Sequence, residues 1–326
     1  MTSTVSLADD ALTDGALADG ALASGTAAVR PASPFDAAEA QPRYETGRQL
    51  ALADFSTPAA GAADRFIRFA YRLGIPATML TSPIGRKPRT RLLATVNNTV
   101  PGNGAAGTAL RAGHFLIHGA RTPIAQVDYA GAARVTPPLE RVVHSFAWLS
   151  DLEACAPREQ CTAVAERILT AWLQANPAPP AKPGKGPAWA VGNTGMRLMN
   201  WMVHAPLILS GDKALRNRTL AHIAATARWL DRRVHNAEDG LAAVAGWCAI
   251  IAAGLLLPDG RPRRLYGEAG LIKALGDLMG DDGGVLSRSP LAQMEAIALL
   301  VRLRNCYHAT RKDPPPTVER VVEMLV

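Results

Sequence analysis

The chain has 326 residues, 48% of them apolar, so it can bury one large core or two ordinary ones. A net charge of +7 favours an anionic partner, such as nucleic acid, a membrane surface or an acidic polysaccharide, without choosing among them. The four cysteines form no CxxC pair, which argues against a cysteine-based zinc site and favours reduced thiols.

The first 60 or so residues differ from the rest of the chain in composition. They are rich in Ala, Gly, Asp, Ser and Thr, with near-repeats such as DGALADGALASG. Ordering such a segment would cost conformational entropy without burying much surface. We therefore predict a disordered leader over residues 1–60 and a folded domain over residues 61–326.

The start lacks the basic region and apolar core of a signal peptide, which predicts a cytoplasmic protein, or a periplasmic one if the start codon is misassigned.

A helix and a small β element come next. Between Ala62 and Gly74 apolar residues recur at helical spacing, which predicts a helix there. These residues are Phe66, Phe69, Ala70 and Leu73. The stretch HFLIHGARTPIAQV predicts two short strands, with Gly119 to Thr122 as the turn between them. A second short apolar stretch, RLLATV, precedes it at residues 91–96. Together the two predict a small β element near residues 90–130.

After Thr136 the pattern is almost wholly helical, and it predicts seven helices. They begin at Pro138 and Pro157, and then span Gly195–Leu209, Lys213–Val234, Leu241–Leu257, Leu265–Met279 and Pro290–Tyr307. Because short Gly, Asp or Pro breaks join them, successive helices should pack as antiparallel pairs. The predicted fold is therefore mainly α, an array of helical hairpins forming either a solenoid or a toroid.

Motifs that would indicate a nucleotide, metal or hydrolase site are absent from the sequence. There is no Walker A loop, no GxGxxG between strand and helix, no GxSxG and no HExxH, so we expect no cofactor and no metal. Basic residues are spread over several helices rather than concentrated on one, which argues against nucleic-acid binding. The longest apolar run, Ala242 to Leu257, is interrupted by glycines, so no membrane insertion is expected.

Five stretches occur in an order that points to a known family. They are GRKPRTRLLA (85–94), GHFLIHG (113–119), HSFAWLSDL (144–152), GMRLMNW (195–201) and DGGVLSRSP (282–290). Together they resemble the N-terminal part of heparinase II/III-like proteins, and the resemblance covers residues 62–326. It implies an incomplete (α/α) toroid followed by a β-sandwich, with an acidic polysaccharide bound between them. The implied chemistry is β-elimination beside a uronate carboxylate, with a base, a charge-neutralising group and an acid.

The sequence departs from the family pattern at the catalytic positions. Where the family commonly has a Tyr followed by a His, this chain has Ala292 and Gln293. Leu241 lies nearest the position of the Asn or His that faces the carboxylate. Because the chain ends at Val326, we expect the β-sandwich to be absent or to be supplied by a separate chain. These departures favour a truncated and inactive lyase domain over a complete enzyme.

Three polar residues are the candidates for catalysis. His235 and Asn236 precede the position of the family's neutralising residue, and His144 begins the HSFAWLSDL motif. A histidine in a cleft can act as general acid or base. The alternative for His144 is a hydrogen-bonded core residue, as is usual for a lone histidine on an apolar helix. Tyr266 and Tyr307 are other potential proton donors, but motif spacing does not support them.

Candidates for substrate binding come from two other motifs. In RLMNW, Asn200 can hydrogen-bond a uronate and Trp201 can stack on a sugar ring, with His204 one turn later. The alternative is that Trp201 belongs to the core and Asn200 satisfies a helix end. Arg288 can bind sulfate or carboxylate, or pair with a neighbouring aspartate.

The leading hypothesis is a lyase domain acting on an acidic polysaccharide. The alternative is a non-catalytic helical module that binds an anionic glycan or a protein partner.

Overall fold

The structure, a computed structural model, describes residues 54–56, 61–81, 90–131, 133, 135–181 and 186–326. The predicted leader over residues 1–60 lies outside the described residues, apart from residues 54–56. Residues 85–89, which begin the stretch GRKPRTRLLA, lie outside them as well.

Helices make up most of the described chain, and local signals set many of their ends. The helices are α1 (Ala62–Arg72), α2 (Ala77–Thr81), α3 (Gly104–Arg111), α4 (Pro137–Ser145), α5 (Trp148–Cys155), α6 (Arg158–Ala175), α7 (Val191–Val203), α8 (Ala205–Ile208), α9 (Lys213–Arg233), α10 (Gly240–Leu256), α11 (Arg261–Leu278), α12 (Pro290–Ala309) and α13 (Pro316–Leu325). Proline stands at the start of α4, α8, α11, α12 and α13, where its missing N–H costs no hydrogen bond. Asp212 and Asp239 cap α9 and α10, each accepting a 2.7 Å hydrogen bond from a first-turn N–H.

The small β element is a two-stranded antiparallel hairpin. Strand β1 (His114–Ile117) pairs with β2 (Ala120–Pro123). The turn is His118–Gly119, and both residues have positive φ, as a tight two-residue hairpin turn requires. The predicted turn at Gly119–Thr122 was therefore wrong, because Ala120 to Thr122 already belong to the second strand.

Helix α10 lies at the centre of the helical array and packs against α7, α9, α11 and α12. Its side chains are apolar on every face and almost all buried, as expected of a helix surrounded by others. Small residues allow close packing against α7. A Cβ atom added at Gly195 would lie 2.7 Å from the backbone of Ala245 and Gly246. The described chain is thus mainly α, with a small β element, as predicted.

Two of the predicted helices are interrupted in the structure. The helix predicted from Pro138 is divided into α4 and α5 at Phe146, which has a φ of 59° and a fully buried ring. Core packing of that ring thus overrides the local helical pattern. The helix predicted over Gly195–Leu209 begins at Val191 and breaks at His204, because Pro206 cannot donate a helical hydrogen bond. Helices α2, α3 and α13 were not predicted.

An aromatic core fills the space between α4, α6, α7 and α9. We define it by Trp172, Trp189, Trp201 and the guanidinium of Arg197 that they surround. The centre of that guanidinium lies 4.3 Å, 5.0 Å and 5.7 Å from the three rings. Arg197 is fully buried and donates a 2.8 Å hydrogen bond to the carbonyl oxygen of His144. Cation–π contacts of this kind are strongest where water is excluded.

Candidate functional site

A groove of about 680 Å³ lies between α1, α10, α11 and the turn that follows α9. We call it the cationic groove. It is defined by Arg65, Arg68, Arg72, His235, Tyr266 and Lys273. Phe69 and Trp247 provide apolar wall, and Asp239 and Asp277 also line it. A concave site that combines aromatic surface with a few converging polar groups is the usual form of a ligand site.

Helix α1 forms one wall and is held in place by part-buried hydrogen bonds and one exposed ion pair. The Tyr71 hydroxyl donates a 2.7 Å hydrogen bond to the carboxylate of Asp231. The same carboxylate accepts hydrogen bonds from Arg263 on α11 at 3.0–3.1 Å. At the start of α1, Asp64 pairs with Arg261 at 2.7 Å. These contacts join α1, α9 and α11, and they place one face of α1 along the groove.

His235 and Tyr266 form a hydrogen-bonded pair in the groove. His235 Nε2 lies 3.0 Å from the Tyr266 hydroxyl oxygen. The ring of Trp247 contacts both side chains edge-on, with centroid distances of 5.2 Å to His235 and 5.1 Å to Tyr266. The phenol also reaches the carbonyl oxygen of Asp231 at 3.3 Å. Its single hydrogen therefore has two acceptors, and proton exchange with the imidazole requires only a shift along the 3.0 Å contact.

The environment keeps both members of the pair uncharged. Burial, together with the nearby charges of Arg72 and Lys273, lowers the pKa of His235. Burial and the charge of Asp231 raise the pKa of Tyr266, against a smaller opposing effect of Arg72. At neutral pH the pair is therefore a neutral imidazole beside a protonated phenol. The imidazole can accept a proton and the phenol can donate one.

The cations of the groove are available to a ligand. Within the part of the chain that the structure describes, no ion pair joins Arg65, Arg68 or Arg72 to a carboxylate. The three arginines recur at intervals of three and four residues, so they form one stripe on α1. Guanidinium groups without protein partners are suited to carboxylate or sulfate.

Comparisons with known proteins show a likeness in fold and none in sequence family. No protein-family model and no curated protein matches the sequence. Among solved structures, the chain is similar to one described as the crystal structure of heparinase III, with a TM-score of 0.53 and 12% sequence identity. The likeness covers 81% of this chain but 44% of that one, so this chain spans less than half of that protein's length.

The likeness establishes the fold. It confirms the prediction of an incomplete (α/α) toroid, because heparinase III is a helical toroid of that type. At 12% identity the relationship is distant, and it carries no information about the reaction or the substrate. Arguments about function therefore depend on the groove itself.

Four of the residues singled out in the sequence lie in the core and do not reach the cationic groove. The His144 Nδ1 accepts a hydrogen bond from the indole of Trp172 at 3.2 Å, and burial lowers its pKa to about 4. The Asn200 amide donates to the Ser145 carbonyl oxygen at 2.8 Å. Trp201 is fully buried, with no ring face exposed to a sugar.

His204, the fourth, is also fully buried. Its Nε2 lies 3.1 Å from the Ser150 hydroxyl, and its Nδ1 lies 2.9 Å from a carboxylate oxygen of Glu153 without forming a hydrogen bond to it. Arg302 donates to the same hydroxyl at 3.1 Å. These contacts tie α5 to the end of α7 and to α12, and they hold His204 in the interior, away from the cationic groove.

The remaining predicted residues lie near the surface in two places. His235 is exposed at its edge and belongs to the cationic groove, whereas Asn236, in the same turn, is exposed outside it. Arg288 lies in the loop before α12, pairs with Asp282, and lines a separate groove of about 310 Å³. The structure therefore brings one of the seven residues, His235, to the cationic groove.

The positions that match the family's catalytic residues lie away from the His235–Tyr266 pair. Ala292 and Gln293 lie in the first turn of α12, and the Gln293 amide donates to the Leu325 carbonyl oxygen at 2.8 Å. Leu241 lines another groove, of about 240 Å³, beside Glu140 and Arg141. None of the three matched side chains is titratable.

Sequence reasoning missed most of the cationic groove. Tyr266 had no support from motif spacing, and the arginine stripe of α1 was not considered. A signal for the arginines was present in their helical spacing. By contrast, Tyr266 and His235 are 31 positions apart, and no local pattern indicates that they meet. Among the described residues, no group of three His, Cys, Asp or Glu side chains is placed to bind a metal, and no helix is long and apolar enough to cross a membrane.

Proposed function

We propose that the chain is a lyase-like helical module that binds an acidic polysaccharide in the cationic groove and cleaves it by β-elimination. The observation that carries the proposal is the neutral His235–Tyr266 pair, 3.0 Å apart, beside cations that pair with no carboxylate among the described residues. A uronate supplies the complementary charge. The fold likeness to heparinase III is consistent with this proposal.

The proposed reaction begins with neutralisation of the uronate carboxylate by the arginine stripe and Lys273. This charge contact makes the hydrogen on the adjacent ring carbon more acidic. The imidazole of His235 removes that hydrogen as a proton, because its lowered pKa keeps it in the neutral, basic form. The electron pair left on the carbon forms a double bond to the neighbouring ring carbon.

Bond cleavage then follows on the other side of the new double bond. The bond from the neighbouring carbon to the glycosidic oxygen breaks, and the phenol of Tyr266 donates a proton to that oxygen. The raised pKa of Tyr266 keeps the phenol protonated until negative charge develops on the glycosidic oxygen. A proton then passes from the imidazolium to the phenolate through the 3.0 Å contact, which restores both groups. Phe69, on the groove wall, is exposed and provides a face for a sugar ring.

The test is ultraviolet absorbance of the unsaturated uronate product, with purified chain and heparan sulfate, heparin, hyaluronan or alginate. We expect His235→Gln and Tyr266→Phe each to lower turnover by about 10²–10⁴-fold, the usual contribution of general acid–base groups. His308→Gln, at an exposed histidine on α12 outside the groove, is the matched control and should leave turnover unchanged.

A non-catalytic binding module is the second candidate. It is favoured by the burial of Tyr266, which is 9% exposed, and by the non-titratable residues at the family's catalytic positions. If every polysaccharide gives a flat absorbance trace while heparan sulfate binds in calorimetry, the lyase proposal is wrong and the binding module replaces it. If heparan sulfate and the other polysaccharides neither bind nor react, both candidates fail.

A further inference from the structure

Helix α1 carries a second exposed feature, of which only Phe69 lines the cationic groove. Phe66, Phe69 and Leu73 recur at intervals of three and four residues, and they are 66%, 59% and 66% exposed. We call these three residues the apolar stripe. Large apolar side chains exposed in a continuous row on one helix usually mark an interaction surface. Phe66 and Leu73 do not line the cationic groove.

The apolar stripe lies directly beside the arginine stripe. Each residue of the apolar stripe follows an arginine in the sequence: Arg65, Arg68 and Arg72. The third face of α1 is the one that packs on the body, through the buried Ala70 and the hydrogen-bonded Tyr71. The outward half of the helix is therefore apolar along one side and cationic along the other.

We propose that α1 docks on an anionic lipid surface, with the apolar stripe in the interfacial layer and the arginines on lipid phosphates. A helix that carries arginine along one side and a row of Phe and Leu along another is a form that lies in a membrane interface. The charge is complementary, since Arg65, Arg68 and Arg72 have no carboxylate partner in the described chain.

The geometry favours a lipid surface over a folded protein partner. Phe66 and Leu73 stand on the surface of the helix outside the cationic groove, so they offer no pocket to receive a partner's side chain. A lipid interface needs no pocket, because it adapts to the helix and accepts Phe and Leu side chains at shallow depth. Long arginine side chains can also extend from such a helix to phosphates while their stems remain among apolar groups.

The test is cosedimentation of the full chain with vesicles of phosphatidylcholine plus phosphatidylglycerol, and with vesicles of phosphatidylcholine alone. We expect binding to the anionic vesicles to be at least about tenfold tighter. The double variant Phe66→Ser, Leu73→Ser should weaken that binding by at least about tenfold. Its matched control is Leu291→Ser, Met294→Ser on α12, where both side chains are equally exposed, at 63% and 67%.

A second measurement avoids polar substitutions. Phe66→Trp adds a seventh tryptophan, in the apolar stripe, and its emission is obtained as the difference between the variant and the unchanged chain, which has six. This difference emission should shift to the blue and be quenched by brominated lipid when anionic vesicles are added. Equal binding to both kinds of vesicle, an equal loss in the α12 control, or an unshifted emission of the Phe66→Trp variant would overturn the proposal. No polysaccharide is present, so the outcome is independent of the lyase assay.

Discussion

The aromatic core and the cationic groove contain the same kinds of residue in opposite circumstances. In the core, Arg197 is fully buried between tryptophan rings, and His144 accepts a hydrogen bond from Trp172. In the groove, Arg65 and Arg72 are exposed, and His235 contacts a tyrosine at the edge of solvent.

What distinguishes the two regions is the source of each polar group's partner. In the core the protein itself supplies the partners, so adding a ligand would first require breaking interior contacts. In the groove no carboxylate of the described residues pairs with the guanidinium groups, so a ligand would break no ion pair on binding there. Arginine, histidine and tryptophan thus mark a binding site where their hydrogen-bonding capacity is left unused by the protein.

Acidification should give the largest loss of stability, because it protonates the buried side chains of His144 and His222. Burial lowers the pKa of both to about 4, from an ordinary value of about 6.5. Between these values the unfolded chain binds more protons than the folded one, so stability is complete above about pH 6.5 and falls as the pH drops towards 4. The loss is at most about 3 kcal/mol for each imidazole. Urea denaturation at a series of pH values measures it.

The control for this pH dependence is a variant that removes one buried imidazole. His222→Gln keeps a donor for the Asn176 carbonyl oxygen, which His222 Nε2 contacts at 2.8 Å, and should reduce the slope of stability against pH. His308→Gln, exposed on α12, should leave the slope unchanged. A free energy of unfolding that is constant between pH 6.5 and 4 would contradict the assignment of both histidines as neutral core residues.

Removing the buried guanidinium of Arg197 should have the next largest effect on the free energy of unfolding. Arg197→Ala should cost roughly 3–5 kcal/mol, because it leaves a cavity between three tryptophans and an unsatisfied carbonyl at His144. Arg197→Met refills the space and removes a buried charge, so it should cost less. Arg68→Ala in the groove should change stability by less than about 0.5 kcal/mol. Thermal or urea denaturation compares the three, and an equal loss for Arg68→Ala would remove the distinction between the regions.

The groove arginines should affect binding rather than stability. Arg65→Gln with Arg72→Gln should weaken heparan sulfate binding by about tenfold, and less at high salt, because exposed ion pairs are screened. Arg158→Gln with Arg320→Gln changes the net charge equally at exposed sites outside the groove. Calorimetry at two salt concentrations separates the two pairs. Equal losses would mean that overall charge, and not the groove, attracts the polysaccharide.

The sequence predicted helices well where a local signal was sufficient. Proline placed the starts of α4, α6 and α12 within one residue, and the spacing of Ile223, Ala227 and Leu230 in α9 matches three fully buried positions. These signals depend on neighbours within one or two turns. The division at Phe146 was missed because it depends on tertiary packing of the ring.

The groove depends on contacts that local patterns do not contain. It combines α1, the turn after α9, and α11, and its central pair is separated by 31 positions. In α1 the spacing of apolar residues predicted a helix correctly, yet Ala70 is the residue buried there while Phe66 and Phe69 are exposed. Helical spacing identifies faces, whereas tertiary contacts decide which face packs. The family motifs drew attention to α7, whose polar side chains lie in the core.

The smallest predicted effect concerns the packing that supports the His235–Tyr266 pair. A Cβ atom added at Gly270 would lie 2.5 Å from the ring of Trp247, which contacts both members of the pair. Gly270→Ala should therefore displace the indole, and the cost of this overpacking offsets the gain in helix propensity, leaving a loss of about 1 kcal/mol. Gly104→Ala, whose nearest neighbour would be 3.4 Å away, should leave stability unchanged or raise it slightly. The displaced ring contacts His235 and Tyr266 but not the arginine stripe. Turnover should therefore fall while the affinity for polysaccharide is retained. A loss of affinity with unchanged turnover would instead place Trp247 in substrate binding.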